Sequence, residues 1–338
     1  MSEAGGDTGP GHRKLVSIVV PARDEEGNFA RLEQELADAL DPLPYDFEFI
    51  VVDNDSSDKT GALAKDLCRR DPRWRYVRFS RDFWVEASIT AGYRAAAGDA
   101  IVVIYSDLQD PPGAIPALLA KWEEGYDVVY GVRTVRPGDP KWRNLAAKLS
   151  YRVITRLSDV AVPPDAGDFR LITRPVRDAL LDCGEYNRYN RGLISWIGFR
   201  QVGVNYERRP RTTGRSKAPF LALIVYVFTA VTSFSLKPLR LFTAFGFVVL
   251  VASLAAIPVY VWLHVASGAP AGITTVILLL LVLIGITSLG IGILGEYLGR
   301  THSEVKRRPL YIVAETANID PVERGLVPRR DGQEHGPR

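Results

Sequence analysis

The sequence predicts an α/β chain, with a doubly wound, mostly parallel sheet followed by an interfacial helix and two transmembrane helices. Short β-rich runs alternate with amphipathic stretches between Leu15 and Gly131, the order that builds a parallel sheet covered by helices. Further on, Leu241–Leu263 and Ile273–Leu294 are uncharged and apolar. Each is about twenty residues long, enough to cross a bilayer core of about 30 Å as a helix. Lys237 and Arg240 precede this pair, and Arg300, Lys306, Arg307 and Arg308 follow it. The connection His264–Gly272 carries no Lys or Arg. By the positive-inside rule both flanks, and with them the preceding domain, lie in the cytoplasm.

Taken in order, the expected strands are Leu15–Val20, Phe47–Val52, Arg75–Phe79, Ala100–Tyr105 and Asp127–Gly131. Glu26–Leu40, Asp58–Arg70, Trp84–Ala97 and Gly113–Glu124 carry apolar residues at helical spacing between them. In such sheets a ligand lies beyond the carboxyl ends of the strands. Those ends are Pro21–Glu26, Asp53–Asp58, Ser80–Phe83 and Ser106–Asp110, three of them dense in carboxylates. A third uncharged run, Ala218–Leu236, has basic residues on both sides. It reads as a helix lying in the cytoplasmic interface rather than a third crossing, which would place a basic cluster outside.

Residues 1–14 are Gly-rich and polar, without the apolar core of a signal peptide, and are expected to be disordered. A cytoplasmic tail from 301 to 338 is expected, disordered beyond about Glu315. Lys and Arg number 42 against 39 Asp and Glu, a balance that gives no field for nucleic acid. Cys68 and Cys183 suggest no disulfide framework and read as reduced, buried residues. Gly290–Gly295 satisfies G-x-G-x-x-G but follows no strand. It reads, with Gly299, as small residues that let helices pack closely. Glu296 is expected to pair with Arg300 one turn on.

The strongest chemical signal is Ser106-Asp-Leu-Gln-Asp-Pro-Pro112 directly after a hydrophobic strand. Carboxylate and amide oxygens there suit a hard divalent cation, Mg²⁺ or Mn²⁺. An Asx turn before the next helix is the structural alternative. Asp53, ending another strand, could accept from a nucleobase or a ribose hydroxyl. Asp58 or a serine beside it could instead cap the following helix.

Pro21–Asn28, Asp53–Thr60, Asp107–Pro112, Tyr126–Arg133, Gly167–Leu171, Gly192–Arg200, Ser233–Arg240 and Gly295–Arg300, in this order, resemble the family-2 glycosyltransferases of GT-A (Rossmann-like) fold. The likeness is to their polyisoprenyl-phosphate branch, the dolichyl-phosphate mannose and glucose synthases and bacterial undecaprenyl- or decaprenyl-phosphate enzymes. The resemblance implies a UDP- or GDP-linked nucleotide sugar on Pro21, Ala22, Arg23, Glu25, Asp53, Ser106 and Asp107. It implies a metal on Asp107 and Gln109, and catalytic roles for Asp107, Asp110 and Arg133. For the acceptor phosphate the candidates are Arg133, Arg143, Lys148 and Lys217, each of which also reads as a solvated surface charge or an anionic-lipid contact, with Asp168 and Arg170, for which a structural ion pair is the other reading.

Three motifs depart from the family pattern. Arg23 stands where an aromatic is usual, Asn54-Asp55 replaces Asp-Gly, and Tyr105 replaces the first aspartate of D-A-D. The implied enzyme is an inverting hexosyltransferase of the plasma membrane, moving one sugar to a polyprenyl phosphate, with a possible homo-oligomer. A weakly catalytic binding subunit is the alternative. A processive polysaccharide synthase is disfavoured because Q-x-x-R-W is absent.

Overall fold

The computed structural model describes residues 13–133, 163, 166–209, 239, 242–249, 251, 255, 258–259, 262, 266 and 272–327. Arg143, Lys148, Lys217, the expected interfacial helix 218–236 and most of the first expected crossing lie outside the described residues. The chain divides into two units. One comprises residues 1–145, 161–217 and 309–338, the other residues 146–160 and 218–308.

Eight strands form the sheet of the first unit: β1 (Leu15–Ala22), β2 (Asp46–Asp53), β3 (Trp74–Phe79), β4 (Ala100–Val103), β5 (Val128–Arg133), β6 (Ala166–Thr173), β7 (Gln201–Tyr206) and β8 (Val313–Ala317). Their order is β7-β5-β6-β4-β1-β2-β3-β8. β4, β1, β2 and β3 pair in parallel, and β5 pairs in parallel with β7. β6 runs antiparallel to both β4 and β5, so all these parallel strands point the same way. Their carboxyl ends, with the amino end of β6, share one edge of the sheet.

Strand alternation divides the covering helices. Val16, Ile18 and Val20 of β1 join the core that holds Leu32, Leu36 and Leu40 of α1 (Phe29–Leu40). Leu67 of α2 (Thr60–Arg70) and Leu118 of α4 (Ile115–Glu123) lie in that same core. Val19 points the other way, onto α3 (Trp84–Ala95), where Gly92 faces it so closely that an added Cβ would overlap Val19 Cγ1. α5 (Arg174–Asp182) and α6 (Asn190–Ile197) complete the described helices of this unit.

Two boundaries differ from the sequence expectation for a physical reason. α1 starts at Phe29 rather than Glu26, because Glu26 braces a neighbouring loop: its Oε2 accepts from Lys59 N–H at 3.0 Å. Asp58 Oδ2 in turn accepts from Glu26 N–H at 3.0 Å. β4 leaves the ladder at Val103, and Tyr105 turns toward β6.

The expectation of a disordered tail beyond Glu315 is overturned as far as Val327. β8 adds antiparallel to the outer edge of β3, so Ala317 and Thr316 satisfy backbone groups that the edge would otherwise leave to water. Asn318 Nδ2 then donates to Cys68 O and, at 3.0 Å, to Trp74 O, and Arg324 Nη1 donates to Ala95 O at 3.1 Å. The signal was faint, since V-A-E-T-A has little apolar content. Both cysteines are free, but Cys183 is only half-buried.

In the second unit α7 runs from Ile273 to Val305, 33 residues. Glu296 pairs with Arg300 at 3.2 Å, as expected. Phe242 fills the space that a side chain at Gly290 would need, whereas Gly292, Gly295 and Gly299 have nothing within 4 Å among the described atoms. Several α7 side chains, those at 277, 278, 281 and 282 among them, lie outside the described residues. Among the described residues no helix is long and apolar enough to cross a membrane.

Gly92→Ala forces a methyl group into Val19 at the α3–β1 contact. Overpacking of this kind costs about 1–3 kcal/mol, against a gain of about 1 kcal/mol in helix propensity. The thermal midpoint of Gly92→Ala, followed by circular dichroism, is expected to fall; a rise would show that the sheet yields at Val19.

Candidate active site

Four loops leave the carboxyl edge after β1, β2, β3 and β4, and each contains, or meets at the first residue of the following helix, one non-glycine residue in the left-handed region. These are Asp24 (φ 54°), Asp55 (φ 59°), Trp84 (φ 68°) and Leu108 (φ 55°). Such a conformation costs an L-residue about 1–2 kcal/mol and persists where surrounding contacts over-determine it. Here side chains supply those contacts. Asp53 is fully buried; its Oδ1 accepts from Ser56 N–H at 2.8 Å and its Oδ2 from the Tyr76 hydroxyl at 2.7 Å. Oδ1 therefore closes the β2 loop, while Oδ2 ties the end of β2 to β3. Ser56 Oγ accepts from Asp24 N–H at 3.0 Å and Thr60 Oγ1 from Glu25 N–H at 2.9 Å, locking the β1 loop to the β2 loop. Pro21 and Ala22 are buried in the last turn of β1, where Ala22 O accepts from Asn54 N–H at 3.0 Å.

The β4 loop is held as firmly. Ser106 Oγ donates to Pro21 O at 3.1 Å, and Asp107 Oδ1 accepts from Gln109 N–H at 3.1 Å, closing an Asx turn. Gln109 O accepts from Arg209 N–H at 2.8 Å. Asp107 and Gln109 are half-buried. Asp110 is fully buried: Tyr206 donates to its Oδ1 at 2.5 Å, and Arg208 Nε stands 3.3 Å from the same oxygen. Among the described residues Asp110 Oδ2 is buried without a hydrogen-bond partner.

Among the described residues no three His, Cys, Asp or Glu side chains gather closely enough to cage a metal. The donor set nevertheless fits a hard cation of the kind completed by phosphate oxygens and water, which needs only one or two carboxylates. Asp107 keeps Oδ2 outside its turn, and the unpartnered Asp110 Oδ2 adds negative potential nearby.

Arg133 ends β5. Its Nε donates to the Tyr206 hydroxyl at 3.4 Å, and its Nη2 lies 2.8 Å from where a Cβ on Gly167 would stand, so only glycine leaves room for it. Burial opposes the charge of Arg133, but the Tyr206 hydroxyl and the Asp110 charge outweigh it and raise its pKa. Burial and Asp110 together push Tyr206 up to about 12.

Next to Gly167, Asp168 is buried and gripped by Arg191, whose Nε donates to Oδ1 at 2.6 Å and whose Nη2 donates to Oδ2. The Tyr105 hydroxyl donates to Asp168 Oδ2 at 2.7 Å. The ion pair thus forms with Arg191 rather than Arg170, whose Nη2 donates to Gly167 O at 2.7 Å. Burial works against ionisation of Asp168, but Arg191 holds it well below the usual carboxylate range. Glu86 of α3, whose Oε2 accepts from Asn190 N–H at 3.2 Å, goes the other way. Burial first, then the Asp168 charge, push it up to about 7.

Asp82, Glu86, Arg191, Tyr206 and Arg208 were missed from sequence. Asp82 had a signal, since Ser80–Phe83 is a strand end at the carboxyl edge. The others lie far along the chain from the partners they meet.

The model of glycosyl transferase family 2 matches residues 17–181. An uncharacterized glycosyltransferase of Synechocystis sp. is 37% identical over 306 residues, 90% of this chain and 96% of its own. Bactoprenol glucosyl transferase of Shigella phage SfII is 33% identical over 307 residues, 90% and 99% of the two chains. Among solved structures, glucosyl-3-phosphoglycerate synthase from Mycobacterium tuberculosis, in complex with Mn²⁺, UDP and phosphoglyceric acid, is 21% identical with a TM-score of 0.47. That match covers 65% of this chain and 78% of the other. The chain belongs to the family 2 glycosyl transferases and is an enzyme of the hexosyltransferase class.

Glu86 gives this site a pH signature. Between its ordinary pKa of 4.5 and about 7 the folded chain keeps a proton that the unfolded chain has released, so this group's contribution to stability falls as pH rises through that window. Glu86→Gln keeps the acceptor oxygen and cannot ionise. Its thermal midpoint relative to wild type is expected to climb from pH 5 to about pH 7 and level off above; a pH-independent difference would show that Glu86 titrates normally.

Proposed function

We propose that this enzyme moves a single hexose from a UDP- or GDP-linked donor to a polyprenyl phosphate at the cytoplasmic face of the plasma membrane. One observation carries this reading. The chain joins a family 2 site to long uncharged helical sequence, and it matches a bactoprenol glucosyl transferase along 99% of that protein's length. Ile273–Leu294 is uncharged and forms one continuous helix with the residues after it. At about 1.5 Å per residue this stretch is about 30 Å long, and Leu279, Leu283, Ile284 and Ile291 on it are each more than half exposed. The basic flanks support a cytoplasmic orientation.

The acceptor phosphate needs no general base, because its second pKa is about 6 by analogy with a phosphorylated side chain. Its oxygen attacks the anomeric carbon, the bond to the nucleoside diphosphate breaks, and the diphosphate leaves with the electron pair, inverting the centre. Arg133 holds the phosphate without neutralising its lone pairs, and Tyr206 with Asp110 orients Arg133. Asp168 and Arg191 shape the acceptor side of the pocket. Asp107, with Gln109 beside it, would hold a divalent cation, which when bound offsets charge on the departing diphosphate.

Purified protein in vesicles containing a polyprenyl phosphate, offered a panel of UDP- and GDP-sugars, is expected to make lipid carrying one sugar. A polymer would point to a synthase, and nucleotide binding without product to a binding subunit. In the same assay Asp107→Asn is expected to lose about 10²–10³ in rate, and excess chelator to stop turnover. Full activity in either case would remove the cation from the reaction.

Arg133 offers a forked donor set suited to phosphate. Arg133→Ala is expected to abolish transfer to the lipid while leaving donor binding, read by calorimetry, within a factor of a few. Arg133→Lys should rescue only in part. Lost donor affinity with the rate kept at saturating donor would instead assign Arg133 to the diphosphate.

A further inference from the structure

Two of the three departures from the family pattern meet at a residue that no motif singles out. Arg23 lies at the end of β1, Asn54 at the end of β2 and Asp82 just past β3, side by side along the carboxyl edge. Arg23 Nη1 pairs with Asp82 Oδ2. Asp82 Oδ1 accepts from Asn54 Nδ2 at 2.7 Å and from Trp84 N–H at 2.8 Å, while Asn54 Oδ1 accepts from Phe83 N–H at 2.9 Å. Neighbouring strands are about 4.8 Å apart, so the Arg23–Asp82 pair reaches about 10 Å across the end of β2.

Asp82 itself is anchored from behind. Ser80 N–H donates to Ile312 O at 3.0 Å, and Tyr311 stacks on Phe79 with ring centroids 5.0 Å apart. Phe79 meets Phe83 edge-on at 5.7 Å. The carboxylate is therefore a fixed point, and the Arg23 side chain, 51% exposed, is the partner that would move without it.

We propose that Asp82 is a positioning residue for the donor, holding the Arg23 guanidinium flat at the carboxyl edge as a platform for the nucleobase. The inference rests on the proposed function, in that a nucleotide sugar occupies this edge. Charge decides which part of the nucleotide Arg23 serves. A free guanidinium here would be drawn to the diphosphate. Paired with an ionised carboxylate it is locally neutral, and what remains available is its planar face, which stacks on aromatic rings. An exposed ion pair adds little to stability, so stability alone does not account for a contact built from three loops.

The test uses the full-length enzyme and calorimetric titration with UDP and with GDP, alongside KM and kcat for the sugar donor. Asp82→Asn keeps Oδ1 as acceptor for Asn54 and Trp84 but turns an NH₂ group toward the guanidinium. It is expected to weaken binding of whichever nucleotide the wild type takes by about tenfold, the loss of one oriented charged contact. The loss should appear in KM, with kcat within about twofold and an unchanged thermal midpoint. Arg23→Ala should lose the same amount, and the double variant no more than either single one. Arg23→Tyr, planar and uncharged, should restore binding and make Asp82→Asn silent.

Asp82→Ser repeats the cycle should the asparagine variant not fold. Additive losses, failure of Arg23→Tyr to rescue, or an unchanged affinity in Asp82→Asn would each overturn the proposal. A wild type that binds UDP or GDP, loses affinity in these variants, and still passes no sugar to polyprenyl phosphate would overturn the proposed acceptor and leave the platform standing. Absence of any nucleotide binding would overturn both.

Discussion

Parallel strands that end together release their chains along one edge, and the backbone groups freed there need partners close at hand. In this enzyme short polar side chains answer most of that demand across loops rather than within them. Asp53 closes its own loop and takes the Tyr76 hydroxyl. Ser56, Thr60 and Asp58 accept from the three successive N–H groups of Asp24, Glu25 and Glu26. The result is a rim in which four left-handed residues are tolerated, each at a cost of about 1–2 kcal/mol, because the hydrogen bonds leave them no alternative. A rim fixed in this way holds its geometry without a ligand, which is the condition for preorganised binding.

The other half of the edge is built from buried charge. Asp168 with Arg191, and Asp110 with Tyr206 and Arg208, take carboxylates out of water. Removing one partner of such a pair costs about 3–5 kcal/mol, because the remaining charge is left buried. Two consequences run in opposite directions. Asp168 stays ionised because Arg191 donates to both of its oxygens, whereas Glu86, without an equivalent partner among the described residues, gives way and holds its proton. Arg133 stays charged despite burial, through Tyr206 and Asp110. Geometry and protonation are thus set together, by which carboxylate owns an arginine.

Much of this was legible from sequence where it depended on local pattern. The strands and helices from Leu15 to Glu123 fall within a few residues of their expected places, because alternation and helical periodicity are short-range signals. The Asp107–Gln109 turn was also legible, as an Asx turn follows from residue type. What could not be read were pairings set by topology. β6 inserts antiparallel between β4 and β5, which brings Asp168 beside Tyr105, 63 residues away. β7 brings Tyr206 to Asp110 across 96 residues. β8 carries too little apolar content to announce itself, and its place comes from backbone pairing with the β3 edge. Asp53 could be read either way, because a carboxylate at a strand end serves a ligand and a loop equally well on paper. The structure shows the loop contacts, Ser56 N–H and the Tyr76 hydroxyl.

The departures at Arg23, Asn54 and Tyr105 look independent in the sequence and are not independent in space. Arg23 and Asn54 both bind Asp82, so the change in one loop is matched by the change in the next. Tyr105 sets a neutral hydroxyl against Asp168 where the family pattern places a carboxylate. A carboxylate there would face Asp168, already ionised, and in a buried setting two such charges raise each other's pKa until one takes a proton. Tyrosine avoids that conflict and donates a hydrogen bond to Asp168. The exchange leaves Asp107 as the one carboxylate at positions 105 and 107. One carboxylate fewer then stands at the β4 end than the family pattern provides. The carboxyl edge is therefore internally consistent, with Arg23, Asn54 and Tyr105 each meeting a partner that accommodates it.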